Sequence, residues 1–307
     1  MMPAQADREL TPDAYGILKR LLADAGLPES PREIRPLTGR GFENGIFVVT
    51  PAGRDDVIFR LRPEGAAEDA GRVAFLAAYD LPIPRVLAME GRGALHEFIH
   101  GRVIGDAIES GEMTGQMWRH VGEAFRKVHA VRFPDRLAGM VGPNEIVLHP
   151  CDPVAGVQAS IERALPRLRL MAFDGAVKGS FERLHGMVEM LDVAIRRAPV
   201  SLVHDDVNMW NIIVDAERAV IIDWDYPAVK SSLREIALLD KHAWLFNGLG
   251  RVGLPEDFCM GYGEVDLPVV ELYRVLETVV WAVSDDWATF ARRAAVLSPA
   301  RTSAAMA

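Results

Sequence analysis

The chain of 307 residues is long enough for one large domain or two lobes with a substantial core. Its 34 basic and 43 acidic residues give a net charge of −9 without a basic run, which argues against nucleic acid and is compatible with a cationic small molecule. MMPAQADREL lacks the basic-then-apolar order of a secretion signal, no apolar run is long enough to span a bilayer, and Cys151 and Cys259 match no metal spacing. A cytoplasmic protein, monomeric or homodimeric and without a membrane partner, is expected.

Thr11-Pro12-Asp13 predicts a helix start with a capping hydroxyl, a proline at the first position and a first-turn acid; Gly26 predicts its end, and Leu18, Leu21 and Leu22 its buried stripe. Strands are expected at 34–37 and 46–49, around the Gly-rich turn Gly39-Arg40-Gly41-Phe42-Glu43-Asn44-Gly45. Such a turn between strands can lay backbone amides over phosphates, whereas a dinucleotide fold would need a helix after the glycines. Val57 to Arg62 alternates apolar and basic residues, so Arg60 and Arg62 share a face, either under that turn or solvated on an edge. A helix is expected from about Glu64 to Tyr79.

His96-Glu97-Phe98-Ile99-His100 matches H-E-x-x-H, a zinc-hydrolase pattern that works only on a helix, with Glu123 as the best third ligand. Glycines box the segment, and Ala94 to Ile99 reads better as a strand. From Gly101 onward helices dominate: Thr114 to His129, Val154 to Leu170, Phe181 to Ala198, Ser232 to Leu239, Pro268 to Val283 and Trp287 to Leu297. Arg132 to Pro153, rich in proline and glycine, reads as an irregular insertion.

The most informative stretch is Ser201 to Asp225, SLVHDDVNMWNIIVDAERAVIIDWD: a strand, a polar loop, and a hairpin ending in a carboxylate. Asp206 and Asn211 have the spacing of the kinase catalytic loop H-R-D-x-x-x-x-N, His204 precedes them, and the hairpin returns the chain to Asp223. Phosphoryl transfer needs a carboxylate to orient the attacking hydroxyl and hard oxygen ligands to hold magnesium.

His204 to Asn211 followed by Ile222-Asp223-Trp224-Asp225 resembles the aminoglycoside phosphotransferase family of small-molecule kinases, which shows H-G-D-x-x-x-x-N and then I-D-W or I-D-F. The resemblance, covering about Leu37 to Leu239, implies an α+β, two-lobed protein-kinase-like fold. An N-lobe with an antiparallel sheet would span 1–100, a mostly helical C-lobe 101–307, and ATP would lie in the cleft near Gly101. It implies Asp206 as base or orienting group, Asn211 and Asp223 on Mg2+, Gly39, Gly41 and Asn44 over the phosphates, and Arg60 as the phosphate-contacting cation. Asp69 falls where the family has the Glu that pairs with this cation, and Glu68 is adjacent. The backbone of Glu97, Phe98 and Ile99 would bind adenine, His129 would be structural, and Glu235 would stand for an Asp that braces the catalytic loop.

Asp205, where many relatives have Gly, either binds a substrate amine or turns outward. Asp225, Asp285, Asp286 and Glu277 are further candidates for a cationic substrate. The acceptor is a hydroxyl of an aminoglycoside or another cationic antibiotic, or of a metabolite such as choline, homoserine or a sugar. A zinc hydrolase on His96, Glu97 and His100 and a non-catalytic nucleotide-binding pseudokinase are the rival readings.

Overall fold

A computed structural model describes residues 10–37, 45–142, 145–170, 175–249 and 253–284, without side chains for 165–182, 245–246 and 281–284. The chain divides into two compact units, one ending at Gly101 and including Gly142 and Glu145, the other formed from Arg102 onward.

In the first unit, helix α1 (Pro12–Asp24) begins where the Thr11 hydroxyl accepts the Ala14 N–H, and Gly26 follows its end in the left-handed conformation, φ +66°. Its stripe of Ile17, Leu18, Leu21 and Leu22 packs on Phe47, Val49, Val57, Phe59 and Leu95 of a sheet. Each fully buried leucine there contributes about 2 kcal/mol. The five strands are β1 (Pro31–Pro36), β2 (Gly45–Pro51), β3 (Val57–Leu61), β4 (Val86–Glu90) and β5 (Gly93–Glu97), antiparallel in the order β1-β2-β3-β5-β4. The helix approaches so closely that a Cβ on Gly93 would lie 2.6 Å from Ile17 Cγ2.

Helix α2 (Ala70–Ala77) starts later than the apolar pattern implied. Pro63 and Gly65, the latter at φ +81°, turn the chain, and the Asp69 carboxylate then caps the helix by accepting the Arg72 N–H. Glu68 is thereby left outside the helix.

The second unit opens with β6 (Arg102–Val103), α3 (Ile104–Glu109) and α4 (Gly115–His129), the last capped by Thr114. Next come β7 (Leu137–Val141) and β8 (Ile146–Pro150), then α5 (Pro153–Leu170) and α6 (Gly175–Arg197). The stretch expected to be irregular therefore contains a hairpin, which belongs to the sheet β8-β7-β12-β9 through β9 (Val200–Val203) and β12 (Ala228–Ser231). A smaller sheet, β11-β10-β6, uses β10 (Ile212–Val214) and β11 (Ala219–Ile221).

Helices α7 (Ser232–Lys241), α8 (Glu256–Tyr262) and α9 (Leu267–Ser284) complete the described chain, with one π turn at His242–Phe246. Helix α8 had no counterpart in the sequence reading. It crosses α4 at two glycines: a Cβ on Gly122 would lie 2.2 Å from the Phe258 carbonyl, and one on Gly261 2.0 Å from that of Arg119. This close crossing delivers Tyr262 to His129. The arrangement is α+β, with an antiparallel sheet in the first unit and mostly helices in the second. No helix among the described residues is long and apolar enough to cross a membrane.

Candidate active site

β9 runs into His204, which is fully buried and donates from Nε2 to the Ile222 carbonyl at 2.9 Å. The ring also meets Trp224 edge-on, with centroids 4.8 Å apart, and the Trp224 indole N–H is held by the Ile221 carbonyl. The strand that precedes Asp206 is thus tied to the strand that precedes Asp223. Between them, the Asn208 side chain accepts the N–H groups of Trp210 and Asn211 at 2.9 and 3.1 Å and shapes a short 3-10 turn, Met209–Asn211. The Trp210 indole lies against Gly105 of α3, where a Cβ would come within 2.4 Å of the ring.

Asn211 is fixed from both sides. Its amide donates to the Asp206 carbonyl at 3.2 Å, and its own carbonyl accepts the Ile222 N–H at 2.8 Å. The side-chain bond commits the amide nitrogen and turns the oxygen away from Asp206. Asp223 takes φ +64°, a left-handed conformation that Asp tolerates better than most residues. Asp206 and Asp223 are exposed, although protein partly encloses the Asp206 carboxyl, and Asn211 is half-buried. Partial burial pushes the Asp206 carboxyl above the usual range; the charge of His204 opposes this, and those of Asp223, Asp205 and Asp225 reinforce it. Asp206 and Asp223 therefore share one electrostatic environment, and Asn211 is tied to it by its hydrogen bond to the Asp206 carbonyl.

Glu235, on the first turn of α7, holds this loop from behind. Its Oε1 accepts the backbone N–H of His204 at 2.7 Å and of Asp205 at 3.0 Å, while Oε2 accepts from His129 Nε2 at 2.8 Å. With Nε2 donating to the carboxylate, the other ring nitrogen, Nδ1, faces the Tyr262 hydroxyl 2.9 Å away. His129, Glu235 and His204 are all buried, so the loop backbone rests on an internal hydrogen-bond network.

Asp205 does not turn outward. Its carboxylate is paired with Lys230 of β12, Nζ to Oδ1 at 2.6 Å. Its φ of +66° also gives a physical reason for glycine at this position in relatives. Glu277, another candidate for a cationic substrate, is paired with Arg234 at 2.7 Å and nearly buried. Asp225 is half-buried beside Asp223; Asp285 and Asp286 lie outside the described residues. Nothing local in the sequence marks Lys230, Arg234 or Tyr262, because each reaches its partner from a distant element.

In the first unit, Arg60 lies on β3 and grips Glu68 with two parallel bonds of 2.9 Å, Nε to Oε1 and Nη2 to Oε2. Arg62, two residues along the same face, approaches Oε2 at 3.0 Å. Asp69, the residue aligned with the expected partner, is not that partner: it is short and spent on capping α2. Burial alone would raise the Glu68 carboxyl; hydrogen bonds and charge from Arg60, then Arg62, outweigh it and hold the group below the usual range.

His96 and Glu97 lie on β5, paired with Ile58 and Val57, and the strand ends before Phe98, Ile99 and His100. On an extended chain, residues four apart are about 13 Å apart along the strand. H-E-x-x-H therefore cannot form its helical zinc site here, and no group of three candidate ligands occurs among the described residues. The Glu97 carboxylate accepts the Arg85 N–H instead. Gly39, Gly41 and Asn44 lie outside the described residues.

A family model described as the phosphotransferase enzyme family, APH, matches residues 33–237, two thirds of the chain and all of the loop geometry above. The chain belongs to this family. Its fold is the one shared by solved phosphotransferases. A choline/ethanolamine kinase family protein from Mesorhizobium loti superposes with a TM-score of 0.60 at 19% identity, covering 96% of this chain and 97% of that one. Plasmodium vivax ethanolamine kinase gives 0.55 at 14%, with coverages of 98% and 93%. Spectinomycin phosphotransferase in complex with ADP and spectinomycin gives 0.54 at 14%, with 92% and 94%. A comparison with curated protein sequences returned no match. Seen as a phosphotransferase, the chain departs from the family pattern in Asp for Gly at 205 and Glu for Asp at 235.

Proposed function

We propose that the protein is an ATP-dependent kinase that phosphorylates a hydroxyl of a small molecule in the cytoplasm, as a monomer or homodimer. The observation that carries this reading is the mutual fixing of Asp206, Asn211 and Asp223: one hydrogen bond joins Asn211 to Asp206, and another joins the β11 end before Asp223 to Asn211. In the reaction, the acceptor oxygen bonds to the γ-phosphorus as the bond to the β–γ bridging oxygen breaks, and ADP leaves. Asp206 orients the hydroxyl and takes its proton; a carboxyl pushed upward is the better base for that task.

The Asn211 amide oxygen and the Asp223 carboxylate are hard donors of the kind that hold Mg2+ on phosphates. Bound there, the ion would neutralise charge developing on the transferred group. Arg60, held flat by Glu68, contacts phosphate, the segment with Gly39, Gly41 and Asn44 covers it, and the backbone of Glu97 to Ile99 binds adenine. The intact trio also favours turnover over a pseudokinase, which would bind nucleotide without it.

The acceptor is an aminoglycoside or other cationic antibiotic, or a metabolite such as choline, ethanolamine, homoserine or a sugar. The pairing of Asp205 with Lys230 and of Glu277 with Arg234 lowers the case for a polycation at those two positions. A phosphate-transfer screen across these compounds tests the reading. Magnesium-ATP should raise the melting temperature of the wild type; Asp223→Ala should largely abolish that shift, and Asp206→Ala should keep it while losing turnover by about a thousandfold. No thermal shift and no heat of binding with magnesium-ATP would sink it.

A further inference from the structure

Behind the catalytic loop, on the far side of the Glu235 network, the second unit contains a cavity of about 210 Å³. A single ordered water claims only about 30 Å³ of liquid, so the space accommodates a small organic ion. Arg126 and Arg132 line it, together with Ser232, Tyr262, His129 and the acidic Glu264. Both arginines are exposed and, among the described residues, have no ion-pair partner. Arg126 lies one turn before the end of α4, and Arg132 lies just beyond that end, where its backbone bridges Ser201. The two guanidiniums are thus mounted on the connection that leads into β9.

We propose that this cavity is a binding site for a small oxyanion, a phosphate ester or a carboxylate, held by Arg126 and Arg132 with the Tyr262 hydroxyl as a neutral donor. Guanidinium forks suit planar or tetrahedral oxyanions, and two of them against one carboxylate at Glu264 leave the lining with a net positive charge. The charge of Arg132 already acts on the Tyr262 hydroxyl, so these groups share one electrostatic environment.

The wall of the cavity is also the first link of a continuous chain: Tyr262 to His129, His129 to Glu235, Glu235 to the backbone of His204 and Asp205. An anion that recruits the Tyr262 hydroxyl competes with His129 for it. The site is therefore placed to influence the loop without touching nucleotide or acceptor, a consequence that rests on the phosphotransferase reading, whereas the binding does not.

The test is thermal unfolding with calorimetric titration of the nucleotide-free protein, at constant ionic strength set with chloride, using inorganic phosphate in one arm and malonate in the other. Saturable stabilisation by phosphate alone assigns a phosphate-bearing ligand; stabilisation by malonate as well extends the class to carboxylates. The paired substitution Arg126→Ala with Arg132→Ala, both on the surface and therefore compatible with folding, should weaken binding by about tenfold or more, while Asp223→Ala should leave it unchanged. If neither anion saturates, or if the paired variant binds as tightly as the wild type, the proposal is overturned. Failure of magnesium-ATP to bind would leave this outcome unaffected and would count only against the kinase reading.

Discussion

Glu68 and Glu235 do comparable jobs in the two units by different physics. Each side chain is 2% exposed, and each holds in place a group to which the proposed phosphoryl transfer would assign a role. Glu68 is neutralised by full charges, the guanidiniums of Arg60 and Arg62, and what it positions is a cationic side chain. Glu235 faces two backbone N–H groups and a histidine, and what it positions is main chain. A carboxylate among fixed dipoles organises several atoms at once, whereas one between cations mainly sets the direction of a charge. Truncating Glu235 should therefore damage more of the structure than neutralising Glu68.

The largest effect is expected from Glu235→Ala, which strands three donors, two of them buried, and should cost about 4 kcal/mol in urea unfolding. Glu235→Gln sharpens the point. Its oxygen still accepts from His204 and Asp205, and His129 can shift its proton to Nδ1 so that Nε2 accepts from the new amide and the Tyr262 hydroxyl turns to accept. That variant should lose only about 1 kcal/mol. Equal losses for Ala and Gln would mean that the charge, not the hydrogen bonding, is what the loop requires.

Next in size is Glu68→Gln, which replaces charge-assisted hydrogen bonds to Arg60 and Arg62 with bonds to a neutral amide and should cost about 2 kcal/mol at neutral pH. The direction of its pH dependence is fixed by the lowered carboxyl. The folded value lies below the unfolded one, so this stabilisation is fully present above the ordinary glutamate range near pH 4.3 and is lost as pH falls through the folded value. Stability measured from pH 7 to 3 should show this acid-side loss in the wild type, and Glu68→Gln should lack that component.

These two glutamates also show what a sequence can and cannot disclose. Glu235 was legible through the family resemblance, which implies an acid bracing the catalytic loop at this place on the helix after the Asp223 signature. The signatures were legible because their chemistry is local: the eight residues from His204 to Asn211 fix a loop through Asn208 and Asn211, and a two-strand hairpin carries the chain to Asp223. Glu68 ranked behind Asp69 because the helix was read from about Glu64, across Gly65, so both acids appeared to lie on it; Gly65 instead turns the chain and Asp69 caps a later start. β7 and β8 were hidden because each is five residues long in a proline- and glycine-rich stretch, and their sheet is completed by β12, more than eighty residues away in sequence. H-E-x-x-H was the opposite case, a familiar pattern that strand geometry disarms.

The smallest effect separates charge from conformation at Asp205. Its carboxylate raises the Asp206 carboxyl, and Lys230 stands directly on it. Lys230→Met should remove the direct counterion of that charge, leaving the weaker influence of Arg234, and push Asp206 further up, whereas Asp205→Gly should remove the charge and let Asp206 fall. If Asp206 must be ionised to take the acceptor's proton, the acid limb of kcat/KM follows its protonation in the free enzyme. The limb should therefore move to higher pH in Lys230→Met and to lower pH in Asp205→Gly. Stability should respond differently. Lys230→Met strands a half-buried carboxylate on a residue already at φ +66°, at about 1 kcal/mol. Asp205→Gly loses the same ion pair but relieves the left-handed backbone, and the released Lys230 can reach water, so it should cost less. Shifts of the same sign in both variants would show that the pair acts through loop geometry rather than through charge.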